Sequence, residues 1–281
     1  MLSDSQHVGG GHADRPVVLE YDNEGRTVVV KQYPHDVAGG IFDGMCALWS
    51  SPFGRNRSVP GMPQPLSLRT AEGAIVMNFI EGPALGSRGD LGTTVDHLDA
   101  AARLLAGLHR SGVVVSRVRT GRALLRSITR KRDELAPSPL RDKFDFAITL
   151  ASARPQVDAQ QTLVVSHGDF SPRNIIVSTD GLRLIDFDRL QMAVPSRDVE
   201  YFGAWTWVTD LMAATGEGWA IADAFGAAYC RHAPGSAAQI ATDRSFYRAM
   251  ALLRIAHGWT ALHGLPGTAG RVADEAIRHL T

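Results

Sequence analysis

The stretch that most restricts this chain is SHGDFSPRNIIVSTDGLRLIDFD, residues 166–188. Two short apolar runs, NIIV and LRLI, flank Asp180-Gly181, a pair that favours a tight hairpin turn. Closing that hairpin lays the start of the first run beside the end of the second, so Asn174 and Asp186 are expected as neighbours in space. One carboxylate and one amide oxygen make a poor all-protein metal cage. They suit Mg²⁺, which keeps waters and takes further oxygens from a phosphate-bearing ligand. Asp169, upstream on the same loop, can orient an acceptor hydroxyl and take its proton.

The chain before this stretch divides into two characters. VVLEY (17–21), DNEG and RTVVVKQY (26–33) read as a β-hairpin, and GAIVMNFI (73–80) as a further strand. Between them, residues 38–51 keep Ile41, Met45, Leu48 and Trp49 at helical spacing, and a Pro/Gly-rich loop, SVPGMPQPL, follows. After Glu81-Gly82-Pro83 helices dominate: one capped by Thr93 or Thr94 and ending near Ser111-Gly112, one over 121–135, and helical periodicity from Pro195 to the end. The expected organisation is α+β: a small β-rich lobe over 1–81 and a larger, mainly helical lobe over 82–281, with a cleft between them.

Lysine is scarce, at Lys31, Lys131 and Lys143 only. Lys31 closes VVVK in the small lobe. Such a lysine either aims its ammonium across the cleft or carries it to water along its own stem. HVGGGH near the N-terminus fits neither GxGxxG nor GxxxxGK[ST], and no clear strand precedes it.

Composition excludes several classes. Net charge is zero, which gives no sign of a nucleic-acid or anionic-membrane partner. No apolar run reaches the roughly 18–20 residues that span a bilayer. MLSDSQHVGGGHADRP has no basic start and no apolar core, so no secretory signal is read there. Cys46 and Cys230 lack zinc-ligand or disulfide-framework spacing, and a reducing cytoplasm is expected.

HGDFSPRN, IDFD and VVVK, with the lysine in the first lobe, resemble the aminoglycoside phosphotransferase/choline kinase superfamily, the small-molecule branch of the protein-kinase-like fold. The resemblance runs from Val17 to the helices after Pro195 and is most specific over His167 to Asp188. It implies a bilobal protein-kinase-like fold and transfer of the γ-phosphoryl group of ATP to a hydroxyl of a small molecule, such as an aminoglycoside-like antibiotic, a sugar or an amino alcohol. It implies Asp169 as catalytic base, Asn174 and Asp186 as Mg²⁺ ligands, and Lys31 as the clamp on the α- and β-phosphates. It places adenine against the backbone of Asn78, Phe79, Ile80 and Glu81. His167 and Asp198 are implied as structural support of the catalytic loop.

Several residues depart from the family pattern. Asp43 stands where a glutamate usually pairs the lysine, one methylene short, and reads equally as a solvated helix charge. No Gly-rich loop is recognisable; the DNEG turn or the N-terminal tail is left to serve. Asp188 is either a second metal ligand or a partner of Arg189. Ser171 stands where protein kinases carry lysine, which favours a small-molecule acceptor. Arg173 reads equally as a phosphate contact or a surface arginine. Tyr201, Phe202, Trp205 and Trp207 read as acceptor-stacking residues or as helix core, and the acidic residues of this half do not announce a pocket for a polycation. Two other classes stay open: a degenerate kinase fold that binds nucleotide or a partner without turnover, and a metal hydrolase using His167, Asp169, Asp186 and Asp188.

Overall fold

In a computed structural model, which describes residues 17–55, 61–86, 95–154, 161–263 and 266–281, strands β1 (Val17–Tyr21) and β2 (Thr27–Gln32) form the expected hairpin, with Val17 opposite Lys31. HVGGGH and the Thr93/Thr94 cap lie outside the described residues. Helix α1 (His35–Trp49) follows Pro34 and buries Ala38, Met45 and Leu48. Strands β3 (Pro65–Arg69) and β4 (Ala74–Asn78) complete an antiparallel sheet of order β1-β2-β4-β3. β3 falls partly in the stretch read as loop. Its proline is tolerated because β3 is an edge strand that begins at Pro65 and is bulged between Pro65 and Ser67.

The second lobe opens with α2 (Val95–His109), α3 (Gly121–Asp133) and α4 (Pro139–Ala153). The sequence reading gave α4 no element, although its signals are local: Ser138 caps it, proline follows, and Leu140, Phe144, Ala147 and Ala151 make one buried stripe. Next come β5 (Val164–Ser166), the β6–β7 hairpin (Ile175–Ser178 and Gly181–Leu184) and β8 (Gln191–Ala193), which pairs with β5. Helices α5 (Ser196–Ala213), α6 (Ala220–His232), α7 (Ala237–His263) and α8 (Pro266–Leu280) finish the chain.

This is the two-part α+β, protein-kinase-like arrangement. One continuous apolar core runs from Tyr33, Met45 and Ile75 of the first lobe through Leu98 and Leu105 of α2 to Phe202 and Phe225. A second lies among α3, α4, α5, α7 and α8. Phe170, next to Asp169, is fully buried, tilted 5.7 Å from Phe202 and stacked 6.0 Å from Phe225. Burying a phenylalanine contributes about 1.5–3 kcal/mol, so the loop carrying Asp169 is anchored by its own neighbour in sequence.

Candidate active site

The β6–β7 hairpin delivers the juxtaposition its turn implied. Ile175 pairs with Leu184, and the Ile185 amide donates to the Asn174 carbonyl at 2.9 Å, so Asp186 emerges directly beyond that rung. Asn174 donates its side-chain Nδ2 to the Asp169 carbonyl at 2.9 Å, leaving the amide oxygen without a protein donor among the described residues. Asp186 itself sits in the left-handed region, φ 67° and ψ 64°. That conformation costs a non-glycine residue of the order of 1–2 kcal/mol and is most tolerable for Asn or Asp.

Lys31 crosses the cleft. Its buried ammonium donates to Asp186 Oδ1 at 2.7 Å and to Asp188 Oδ1 at 2.9 Å, and Tyr33 adds a phenol bond to Asp188 at 2.6 Å. Two carboxylates thus share one ammonium. Burial and the neighbouring Asp188 charge raise the Asp186 carboxyl above its usual range, against the pull of Lys31. Burial also raises Asp188, but Lys31 and Tyr33 outweigh it and hold Asp188 low. A surplus negative charge beside an open amide oxygen is a setting into which a divalent cation fits.

Asp43 is not the partner of Lys31. It is exposed on α1, and Lys31 spends its donors on Asp186 and Asp188. The shorter side chain and the presence of two nearer carboxylates account for the difference. The DNEG turn is likewise a poor phosphate cradle. Asp22 Oδ1 accepts the amides of Glu24 and Arg26, both at 2.9 Å, so those donors face their own carboxylate.

The loop from His167 to Asp169 is fixed by Asp198, which is fully buried at the start of α5. Its two oxygens accept the amides of His167 and Gly168, each at 2.8 Å, and His109 Nε2 lies 3.1 Å from Oδ2. Burial alone would raise this carboxyl; His109 and the amide bond from Gly168 overcome it and keep the pKa below the ordinary value. His167 Nε2 is 2.9 Å from the Ile185 carbonyl. A carbonyl only accepts, so Nε2 carries the hydrogen and the ring ties the loop to the strand end before Asp186.

Asp169 has partners the sequence reading missed. Arg254 of α7 donates Nη2 to Asp169 Oδ1 at 2.6 Å and Nη1 to the Gly168 carbonyl at 2.7 Å, while its guanidinium stacks 4.3 Å from the Tyr201 ring. Burial would raise Asp169, but Arg254, Arg189 and a bond from Tyr201 hold it well below the usual carboxylate range. Burial pushes the Tyr201 phenol up to about 12, so it stays a neutral donor. No local signal marks Arg254, which lies in a helix read only for its apolar period. Arg173 stacks 3.7 Å from the Trp205 ring, and Trp207 stacks on Trp219.

Between the lobes lies a cleft of about 300 Å³. Val17, Leu19 and Val29 line it on one side and Met77, Ile176 and Ile185 on another; Lys31 and Asp186 stand within it. Asn78, Phe79 and Ile80 line the connecting strap, whereas Glu81 is exposed and absent from the lining. Gly82 takes that place at φ 141°, where a β-carbon would overlap the Val177 carbonyl oxygen. The next residues pair with β6: Val177 donates to Pro83 and Leu85 to Ile175.

A two-lobed kinase-like fold with an ammonium, two carboxylates and an amide at its cleft defines a phosphotransferase class. Residues 6–240 match the family model described as the phosphotransferase enzyme family (APH), and the chain belongs to that family. It is similar in fold to the choline kinase LicA of Streptococcus pneumoniae, with 15% identity, TM-score 0.66, and 100% of this chain and 94% of that one covered. For the choline kinase of Cryptosporidium parvum Iowa II the values are 11%, 0.70, 99% and 88%. For a GDP complex of aminoglycoside 2'-phosphotransferase-IIIa they are 16%, 0.63, 100% and 94%. No curated protein matches this chain.

Proposed function

We propose that this protein uses Mg·ATP to phosphorylate a hydroxyl of a small molecule. The observation that carries this reading is the meeting of Lys31, the first lobe's only lysine, with Asp186 across the cleft at 2.7 Å. The relatives solved with AMP and with GDP add support for a nucleotide donor.

In this reading the apolar walls receive the base, and the backbone of Asn78, Phe79, Ile80 and Gly82 borders its edge. Asn174 and Asp186 hold Mg²⁺, with Asp188 beside them; bound there, the ion neutralises charge on the transferring phosphoryl group. Lys31 exchanges carboxylate for phosphate oxygens. Asp169, kept ionised by Arg254, orients the acceptor hydroxyl and accepts its proton. His167 and Asp198 hold the loop. Catalysis then rests on position and charge rather than on a covalent intermediate. A metal hydrolase is disfavoured because, among the described residues, no three His, Cys, Asp or Glu side chains gather as a ligand set. One observation favours a nucleotide-binding protein without turnover: α1 offers Lys31 no carboxylate.

An ADP-release assay over hydroxylated metabolites and antibiotics separates these readings. Acceptor-dependent release that Asp169→Asn abolishes, with nucleotide binding intact, supports the kinase. Nucleotide binding without turnover across the whole panel supports the second reading, and turnover surviving Asp169→Asn removes Asp169 from the chemistry.

A further inference from the structure

Lys31 and Tyr33 are alternate residues at the end of β2, where side chains two apart leave on one face. Tyr33 prolongs the pairing of that strand, its amide donating to the Gly73 carbonyl at 2.9 Å. Both side chains reach one oxygen of Asp188. Lys31 Nζ donates to Oδ1 at 2.9 Å, and the Tyr33 phenol donates to the same atom at 2.6 Å. The ammonium also lies 5.6 Å from the centre of the Tyr33 ring. Tyr33 is 6% exposed and the Asp188 side chain 6%, so the three form a buried unit beside the bond from Lys31 to Asp186.

The two carboxylates are not equivalent. Lys31, Tyr33 and Asp186 line the cleft, whereas Asp188 is not part of its lining. Asp186 also follows the rung that joins Ile185 to Asn174, the other proposed cation ligand. Helix α1 supplies no third carboxylate. The residue it gives to the cleft is Met45, and Asp43 is exposed.

We infer that Asp188, held by Tyr33, is the positioning residue of Lys31 in place of a carboxylate from α1: Asp186 is the partner that turns to the divalent cation, and Asp188 the partner that stays. This deepens, and rests on, the phosphotransferase reading. An ammonium has three hydrogens. With one kept on Asp188, the other two can meet phosphate oxygens, and the long stem is already ordered when nucleotide arrives. The lysine then has a fixed partner although α1 offers none.

The test reads Lys31 directly. The chain has three lysines, so acetylation by acetic anhydride can be followed separately at Lys31, Lys131 and Lys143 by peptide mass spectrometry of the full chain. Asp186→Asn stands in for a carboxylate withdrawn to the cation. In that background Lys31 should label as slowly as in wild type, and adding Tyr33→Phe or Asp188→Asn should raise its labelling about fivefold against the other two lysines. Asp43→Asn should leave it unchanged. Labelling of Lys31 that neither added substitution moves, that rises equally at all three lysines, or that Asp43→Asn raises as much, overturns the proposal.

Calorimetric titration with Mg·AMP-PNP and with adenosine gives the second readout. Tyr33→Phe and Asp188→Asn should each weaken Mg·AMP-PNP binding about fivefold, leave adenosine binding unchanged, and have no further effect in Lys31→Ala. Tighter Mg·AMP-PNP binding in either variant would make Asp188 a competitor of phosphate, and a loss that persists in Lys31→Ala would make it act without the lysine; each overturns the proposal. If wild-type protein does not bind Mg·AMP-PNP, or Lys31→Ala binds it equally well, the phosphotransferase reading fails, while the labelling still decides whether Asp188 holds Lys31.

Discussion

Arg254 Nη2 stands 2.6 Å from Asp169 Oδ1, and the same guanidinium reaches the Gly168 carbonyl at 2.7 Å. A residue eighty-five positions downstream therefore sets both the charge state and the backbone position of the proposed base. Removing it should move the Asp169 pKa upward, because burial then acts without its main opponent. In Arg254→Met the acidic limb of the kcat/KM profile is expected to shift to higher pH, and Arg254→Lys should restore part of the shift. An unmoved limb in Arg254→Met would detach Arg254 from the chemistry.

The same pair contributes to stability. Asp169 has a folded pKa below its unfolded value of about 3.9. The contribution is therefore fully present above that unfolded value and is lost as pH falls below it toward the folded one. Chemical denaturation between pH 5 and pH 2 should show a shallower acid loss in the double variant Asp169→Asn/Arg254→Met than in wild type. Either single change should cost more than the double, since one partner then remains buried and uncompensated, at about 3–5 kcal/mol.

Lys31 bridges two carboxylates with one ammonium. Lys31→Ala should lower turnover by about 10²–10³, the usual scale for one charge-stabilising donor. It should also leave Asp186 and Asp188 facing each other. Mg²⁺ alone, without nucleotide, is then expected to raise the melting temperature of Lys31→Ala more than that of wild type. An equal shift in both proteins would mean that Mg²⁺ does not bind at these carboxylates.

Asp198 accepts two buried amides in a region without solvent. Asp198→Ala strands both, at about 1–3 kcal/mol each, and Asp198→Asn keeps one acceptor oxygen. Unfolding free energies should rank wild type above Asn above Ala, with activity falling in the same order. A stable, active Asp198→Ala would mean the loop is held by other contacts.

What the sequence disclosed follows from the range of the interactions involved. The hairpin at Asp180-Gly181 fixes Asn174 against the strand end before Asp186 because turn and register are local. The crossing of Lys31 depends on two lobes; its own strand leaves open whether the ammonium reaches the cleft or water, and only the family resemblance implies the cleft. The contacts of Arg254, Tyr201 and His109 were illegible because they are long-range: Arg254 and Tyr201 reach Asp169, and His109 reaches Asp198, each from a helix whose spacing reports only its buried face. Asp43 shows the reverse case, and its exposure fits the solvated-charge alternative. A family position predicted a contact that side-chain length and two competing carboxylates deny. β3 was obscured by prolines that an edge strand accepts, and Gly82 by the assumption that the strap ends at Glu81.

Asp186 combines a charge with a left-handed backbone, and substitutions can separate the two. Asparagine tolerates that conformation nearly as well as aspartate and is almost isosteric, so Asp186→Asn should fold with little loss of stability. It removes one of the two charges on Lys31 and one proposed Mg²⁺ ligand. Alanine adds the strain of a left-handed non-glycine residue, of the order of 1–2 kcal/mol. Glycine relieves strain but also removes the carboxylate. If the conformation serves to present the carboxylate, all three variants lose Mg²⁺-dependent turnover alike, while their melting temperatures rank glycine or asparagine above alanine. Retained turnover in Asp186→Gly would show that the charge is dispensable and that the metal is held elsewhere. That result would undo the assignment of Asn174 and Asp186 as a pair, because the hairpin that joins them would then deliver only a backbone shape.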